Sequence, residues 1–199
     1  MSHTFDSALH STPSLLDGVR VLVVPGLHGS EAAHWQSRWE QLYPDFERVE
    51  QEHWDTLDLP VWSQRLQEVL LRSTQPTIIV AHSFGCLTTV HSAAAGAAIA
   101  GALLVAPADP EKFNVVTAVD QALPFPSIVV GSSNDPWMTA QRAQSWAAIW
   151  QSEFVLAGAL GHINAESGLG DWSVGQDLLR GLLEQQGRPP RHAAGHPVC

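Results

Sequence analysis

Residues 77–85, TIIVAHSFG, constrain this chain more than any other stretch. Ile78, Ile79 and Val80 are β-branched and show no alternating polar face, the pattern of a strand covered on both sides in a parallel sheet. The residues that follow, CLTTVHSAAAG, are small and compatible with helix. Ser83 therefore falls where a strand turns sharply into a helix, and residues 81–85 read A-x-S-x-G. This is the nucleophile-elbow pattern G-x-S-x-G with Ala81 in place of the first glycine. Small residues flank the serine because the strand and helix backbones come close together there. Such a turn lifts the Ser83 hydroxyl above the carboxyl edge of the sheet. It also directs the free N–H groups and positive dipole end of the next helix at a developing anion. The plain alternative is a serine in an ordinary βα loop, so the rest of the chain has to decide.

Around this centre the pattern predicts alternating strands and helices. A buried strand at 20–24 runs into PGLHGS, and a helix over 31–42 presents Trp35, Trp39 and Leu42 on its core-facing side. A more polar strand at 46–51 belongs near a sheet edge. Asp58 and Pro60 open a helix with the stripe Trp62, Leu66, Val69 and Leu70. After the elbow helix, GALLV at 101–105 is a fourth strand, followed by a weakly periodic stretch too short for a large cap domain. A fifth strand at 127–130 leads into GSSNDPW. Thr139 then caps a helix with Ala143, Trp146, Ala147 and Trp150 on one stripe. A short strand at 153–156, a glycine-flexed loop at 158–164 and a last helix at 173–185, burying Leu178, Leu179 and Leu182, complete the pattern. These βα units predict one α/β domain over 18–186 with a doubly wound, mostly parallel six-stranded sheet. Residues 1–17 read as a flexible leader and 187–199 as a disordered tail.

Every singled-out loop then leaves the same, carboxyl edge of the sheet. Acyl transfer by serine needs a base for the hydroxyl proton, an acid to orient that base and donors for the oxyanion. Ser83 follows strand three, Asp135 strand five and His162 strand six. The order Ser, Asp, His is that of α/β-hydrolases and differs from the chymotrypsin and subtilisin orders. Strand order predicts Asp135, beside the histidine loop, as the orienting acid and leaves Asp109 to line the pocket. The oxyanion donors expected are the backbone N–H groups of Phe84 and of Leu27, with His28 second to Leu27. His28 and Trp137 are further candidates for the pocket lining. His82 precedes the nucleophile, so its side chain is expected to point away from the site into packing, and His34 receives no role.

Composition enters by exclusion. The net charge is −10, with ten Lys and Arg against twenty acidic residues, so a nucleic-acid or anionic-membrane partner is not expected. No run approaches ~20 apolar residues, and the start lacks a signal-peptide pattern, so a cytoplasmic protein is expected. Its two cysteines, Cys86 and Cys199, make neither a disulfide framework nor a metal-ligand cluster, so no cofactor and no metal are predicted. A nucleotide site is discounted because P-G-x-x-G has neither the P-loop lysine nor GxGxxG spacing.

PGLHGSEAAHW, AHSFG, GSSNDPWM and GHIN, in this order and spacing, resemble the small retinoblastoma-binding protein 9-like serine hydrolases, a compact branch of the α/β-hydrolase superfamily. The resemblance runs over residues 21–183. It implies a three-layer α/β/α sandwich without a large lid and hydrolysis of small-molecule esters or amides by Ser83, Asp135 and His162. Ala81 departs from the usual glycine. The L-x-C-x-E motif behind the type member's retinoblastoma binding is absent, so that partner is not carried over. The competing class is a non-enzymatic interaction module on the same fold. The natural substrate and the oligomeric state are not legible.

Overall fold

The computed structural model describes residues 18–186; the expected leader and tail lie outside them. Six parallel strands form one sheet: β1 (Arg20–Val24), β2 (Glu47–Arg48), β3 (Thr77–His82), β4 (Gly101–Val105), β5 (Ser127–Gly131) and β6 (Glu153–Leu156). They lie in the order β2-β1-β3-β4-β5-β6. The helices are α1 (Trp35–Leu42), α2 (Leu59–Leu70), α3 (Phe84–Ala94), α4 (Val116–Val119), α5 (Ala140–Ile149) and α6 (Ser173–Gln186), with single 3-10 turns at Leu27–Gly29 and Ala165–Ser167. No helix among the described residues is long and apolar enough to cross a membrane.

Side chains alternate across the sheet, so each strand serves two cores. Ile79, Ala81, Leu104 and Val129 face one core with Trp62 and Leu66 of α2, Leu87 and Val90 of α3, and Trp146 of α5. Ile78, Val80, Leu103 and Val130 face the other with Trp35 and Trp39 of α1 and Leu179 and Leu182 of α6. The result is the three-layer α/β/α sandwich. Trp35 is the hub of the second layer, its ring 4.8 Å from that of Trp39 and 4.9 Å from that of Trp172.

Some local expectations are corrected. Helix α1 begins at Trp35, not at 31, because His34 caps it, its Nδ1 accepting the Gln36 N–H at 3.2 Å. Leu42 is 48% exposed, and the Tyr43 and Phe46 rings, stacked at 4.9 Å, cover that end of the layer instead. Strand β2 pairs over two residues only, as suits an edge strand whose Arg48 side chain turns to Glu40 and Ser37. In α6, Leu178 is only partly buried and Leu183 takes the inner position.

Gly85 is the tightest point of the fold. A Cβ there would lie 2.2 Å from the Val24 carbonyl oxygen and 2.5 Å from that of Pro25, so the start of α3 rests directly on the end of β1. Ala81, one strand step before the turn, is fully buried in the α2/α3 core, which accommodates its methyl group. Of the two motif glycines only the second is sterically required. Gly85→Ala should therefore lower the melting temperature by about 10 °C, the equivalent of roughly 3 kcal/mol. Gly181 lies on α6, where an added Cβ meets nothing within 4 Å, and Gly181→Ala should raise the melting temperature by about 2 °C. Thermal unfolding followed by circular dichroism measures both.

Candidate active site

Ser83 holds the turn between β3 and α3 at φ 53, ψ −120, a conformation an L-residue adopts only under constraint. Three main-chain bonds impose it. The Ser83 N–H donates to the Val105 carbonyl at 3.0 Å, and the Ser83 carbonyl accepts from Cys86 at 3.0 Å and from Ala108 at 3.1 Å. The hydroxyl meets the His162 Nε2 at 3.0 Å. Across that ring, Nδ1 lies 2.9 and 3.1 Å from the two Asp135 carboxylate oxygens. A carboxylate only accepts, so Nδ1 carries the proton and Nε2 presents its lone pair to the serine. The Asp135 side chain is 2% exposed, and the Trp137 N–H donates to its Oδ1 at 2.8 Å.

The loops carrying Asp135 and His162 are stitched together. Asn134 Oδ1 accepts the Gly161 N–H at 2.7 Å and the Ser132 hydroxyl at 2.9 Å, and Ser132 Oγ accepts the Leu160 N–H at 2.9 Å. From α1 the Trp35 Nε1–H donates to the Ile163 carbonyl at 2.8 Å, and from β3 the His82 Nε2–H donates to the His162 carbonyl at 2.9 Å.

The turn after β1 completes the site. A Cβ on Gly26 would lie 2.8 Å from Ser83 Cβ and 3.3 Å from the Phe84 nitrogen, so this loop passes directly against the elbow. Among the described residues the Leu27 and Phe84 N–H groups make no hydrogen bond, whereas that of His28 donates to the Trp54 carbonyl at 3.4 Å. The His28 ring is exposed and pairs with Asp55 at 2.9 Å. Asp109 does line the cavity, but its carboxylate is held by Arg142 in two bonds of 2.7 and 2.8 Å. Burial opposes its ionisation, and the Arg142 bonds outweigh that and hold its pKa below the usual value. Trp137 stands at the rim, 59% exposed, its ring 6.4 Å from that of His162.

A cavity of about 530 Å³ opens over Ser83. Its apolar wall, Leu57, Phe84 and Ala108, continues the α2/α3 core, and Phe113 extends it with its ring 5.2 Å from that of Phe84. The other wall belongs to the α1 side and is polar, with Ser30, His34, His82 and Asn164. Here the sequence reading missed two residues. The rings of His34, His82 and His162 follow one another at 4.7 and 4.9 Å. His82 is buried, as strand alternation requires, but it does not point away from the site: it lines the cavity and packs against the loop that carries His162. His34 lies beyond it, its Nδ1 committed to the α1 cap and its Nε2 without a partner among the described residues. Burial, then the nearby Arg48 and His162, lowers the His34 pKa to about 3. Burial, then His34 and His162, likewise pushes His82 well below the usual histidine range. Both rings are neutral near pH 7. Burial raises the Cys86 thiol instead, which removes it as a thiolate nucleophile. Among the described residues no group of three or more His, Cys, Asp or Glu side chains is arranged to hold a metal.

Residues 21–181 match the family model described as serine hydrolase. A solved structure from Pectobacterium atrosepticum, described as a YdeN-like hydrolase, is 40% identical, covers 86% of this chain and 94% of its own, and superposes with a TM-score of 0.83. The ydeN product of B. subtilis is 17% identical over 83% of this chain and 98% of its own, with a TM-score of 0.70. The esterase RhEst1 from Rhodococcus sp. is 14% identical over 86% and 92%, with a TM-score of 0.63. The last two likenesses concern the fold. A search of curated protein sequences gives no match.

The buried histidines fix a pH dependence of stability. Above pH 6.5 neither the folded nor the unfolded chain protonates His34. From 6.5 down to about 3 only the unfolded chain takes up the proton, so stability falls as pH falls, and His82 acts in the same direction. His34→Asn keeps a side-chain cap on α1 and should make this acid decline in the urea midpoint shallower. Equal declines in the variant and the wild type would exclude His34 as the group responsible.

Proposed function

Since the chain belongs to the serine hydrolase family, we propose that it cleaves small carboxylic esters or amides through an acyl-enzyme formed on Ser83. The observation that supports this reading is the continuous relay from Ser83 Oγ through His162 to Asp135, 3.0 Å at one end and 2.9 Å at the other. Ser83 Oγ attacks the substrate carbonyl while its proton passes to His162 Nε2. The new oxyanion takes the N–H groups of Leu27 and Phe84. One such donor is worth about 10²–10³ in kcat in a related chemistry. His162 then protonates the leaving alcohol or amine, which departs. Water, deprotonated by the same nitrogen, attacks the acyl-enzyme, and collapse returns the proton to Ser83 and releases the acid. Asp135 keeps His162 in the productive tautomer and stabilises the imidazolium without itself taking a proton. The wall of Leu57, Phe84 and Phe113 suits an apolar acyl group, and the polar α1 side suits the leaving group.

Within the family we assign the chain to the retinoblastoma-binding protein 9-like branch on its four linked motifs, with residues 18–186 as the hydrolase domain. No step in the proposed cycle requires a metal or an organic cofactor.

Ser83→Ala should stay folded, lose fluorophosphonate labelling and fall by roughly 10³ to 10⁶ in kcat on p-nitrophenyl esters. Undiminished turnover in that variant would refute the proposal. Asp135→Asn should fall by about 10⁴, and Asp109→Asn by about tenfold or less, since Asp109 serves Arg142 and not the histidine. A larger loss in the folded Asp109 variant would move the orienting acid to β4. Dialysis against EDTA should leave ester turnover unchanged, whereas loss of activity restored by zinc would overturn the cofactor-free cycle.

A further inference from the structure

We infer that His82 is a positioning residue for the His162 imidazole, its Nε2–H gripping the main-chain carbonyl of the residue that carries that ring, at 2.9 Å. The inference rests on the reading of His162 as the base.

The loop after β6 has internal bonds, such as that from the Ile163 N–H to the Leu160 carbonyl at 3.2 Å, but none of them holds the main chain of His162. Gly158, Gly161 and Ile163 all have positive φ, at 86°, 59° and 49°, and Ile163 is β-branched, the residue type least suited to that conformation. Bonds from outside the loop hold residues 161–163, beyond those that Ser132 and Ser133 make to Leu160 and Gly158. Asn134 takes the N–H of Gly161, Trp35 donates to the carbonyl of Ile163, and His82 donates to the carbonyl of His162. Of these, only the His82 bond acts on the main chain of His162 itself. It fixes the peptide plane next to the Cα from which the imidazole projects, and so helps fix where Nε2 meets Ser83 and Nδ1 meets Asp135.

The donor must be uncharged. A protonated His82 would put a second positive charge with its ring centroid 4.9 Å from that of the His162 ring, opposing the imidazolium that forms in the transition state. The groups facing His82 are His34 from the start of α1 and His162 from the loop after β6. Arg48 acts in turn on His34, and Asp135 on His162. His82 is 5% exposed between the two rings and stays neutral. Histidine meets both needs, carrying one N–H at the right reach and no charge.

The test compares His82→Leu with His82→Gln, whose amide N–H reaches about as far as Nε2. Two readouts apply: kcat and KM on a p-nitrophenyl ester, and the low-field proton resonance of the His162–Asp135 hydrogen bond. His82→Leu should lower kcat by about 10- to 100-fold with KM within about threefold, the cost of a misplaced catalytic group. Its low-field resonance should broaden or vanish, and His82→Gln should restore both. If both variants fold by circular dichroism and keep the resonance and kcat of wild type, or if Gln and Leu are equally impaired, the positioning role is overturned. Should wild type show the resonance but no turnover, the hydrolase reading fails. The positioning role is then judged on the resonance alone, by its loss in Leu and return in Gln. If His82→Leu does not fold, His82→Gln with wild-type stability but lost resonance and kcat overturns the role, and with both intact supports it.

Discussion

The close approach of the end of β1 to the start of α3 is the contact on which the rest of this structure depends. Gly85 sits against the Val24 and Pro25 carbonyls with no room for a side chain, and Gly26 sits against Ser83 in the same way. Two glycines on two segments thus let two backbones touch. The contact sets the turn after β1 against the elbow, where Ser83 has positive φ, and Leu27, Ser83 and Phe84 line one cavity. Among the described residues the N–H groups of Leu27 and Phe84 are unpaired because one lies in a turn and the other opens a helix, positions that leave an N–H without an internal acceptor. The proposed nucleophile and its proposed anion donors therefore come from one packing contact.

The sheet then divides the site's chemistry between its faces. Strand alternation sends Ala81 to the α2/α3 core and His82 to the α1/α6 core, and the cavity straddles the boundary between them. On one side aromatic rings run from Trp54 through Trp62 and Phe84 to Phe113, each pair at 5.2 to 5.5 Å, and give an apolar wall. On the other, the His34, His82 and His162 rings meet edge to face at 4.7 and 4.9 Å, and burial keeps the first two uncharged. Arg48, itself bonded to Glu40, adds to that suppression at His34. His162 alone of the three lies where an exposed cavity and a buried carboxylate meet. Its hydrogen-bonded neighbour there is the Asp135 carboxylate, not another histidine.

Much of this was legible in the residues because the constraints involved are local. β-branched runs without polar alternation mark strands covered on both faces, and Asp58 and Thr139 cap α2 and α5 through side-chain bonds to Val61 and Arg142. Edges were harder to read. The chemistry of residues 46–51 suits a strand, but β2 has one neighbour, and the ladder ends where Arg48 turns to other partners. The start of α1 was misplaced because histidine is not among the usual caps, and Leu42 kept the helical period after the layer it would face had ended.

By itself the sequence determined the alternation of strands and helices, the turn at Ser83 and the chain order Ser, Asp, His, because each is written in neighbouring residues or in their succession. Strand order, inferred from handedness, separated Asp135 from Asp109. Only the tertiary structure gave Asp109 its partner, since Arg142 lies thirty-three positions away. Tertiary structure alone also assigned His82 and His34. Parity could put His82 on the α1 face, but what covers that face is the loop eighty residues later that bears His162, and no local pattern encodes a bond across that separation. The committed His28 N–H and the unpaired Leu27 N–H differ for the same reason: the carbonyl that separates them belongs to Trp54, which approaches only when the chain is folded.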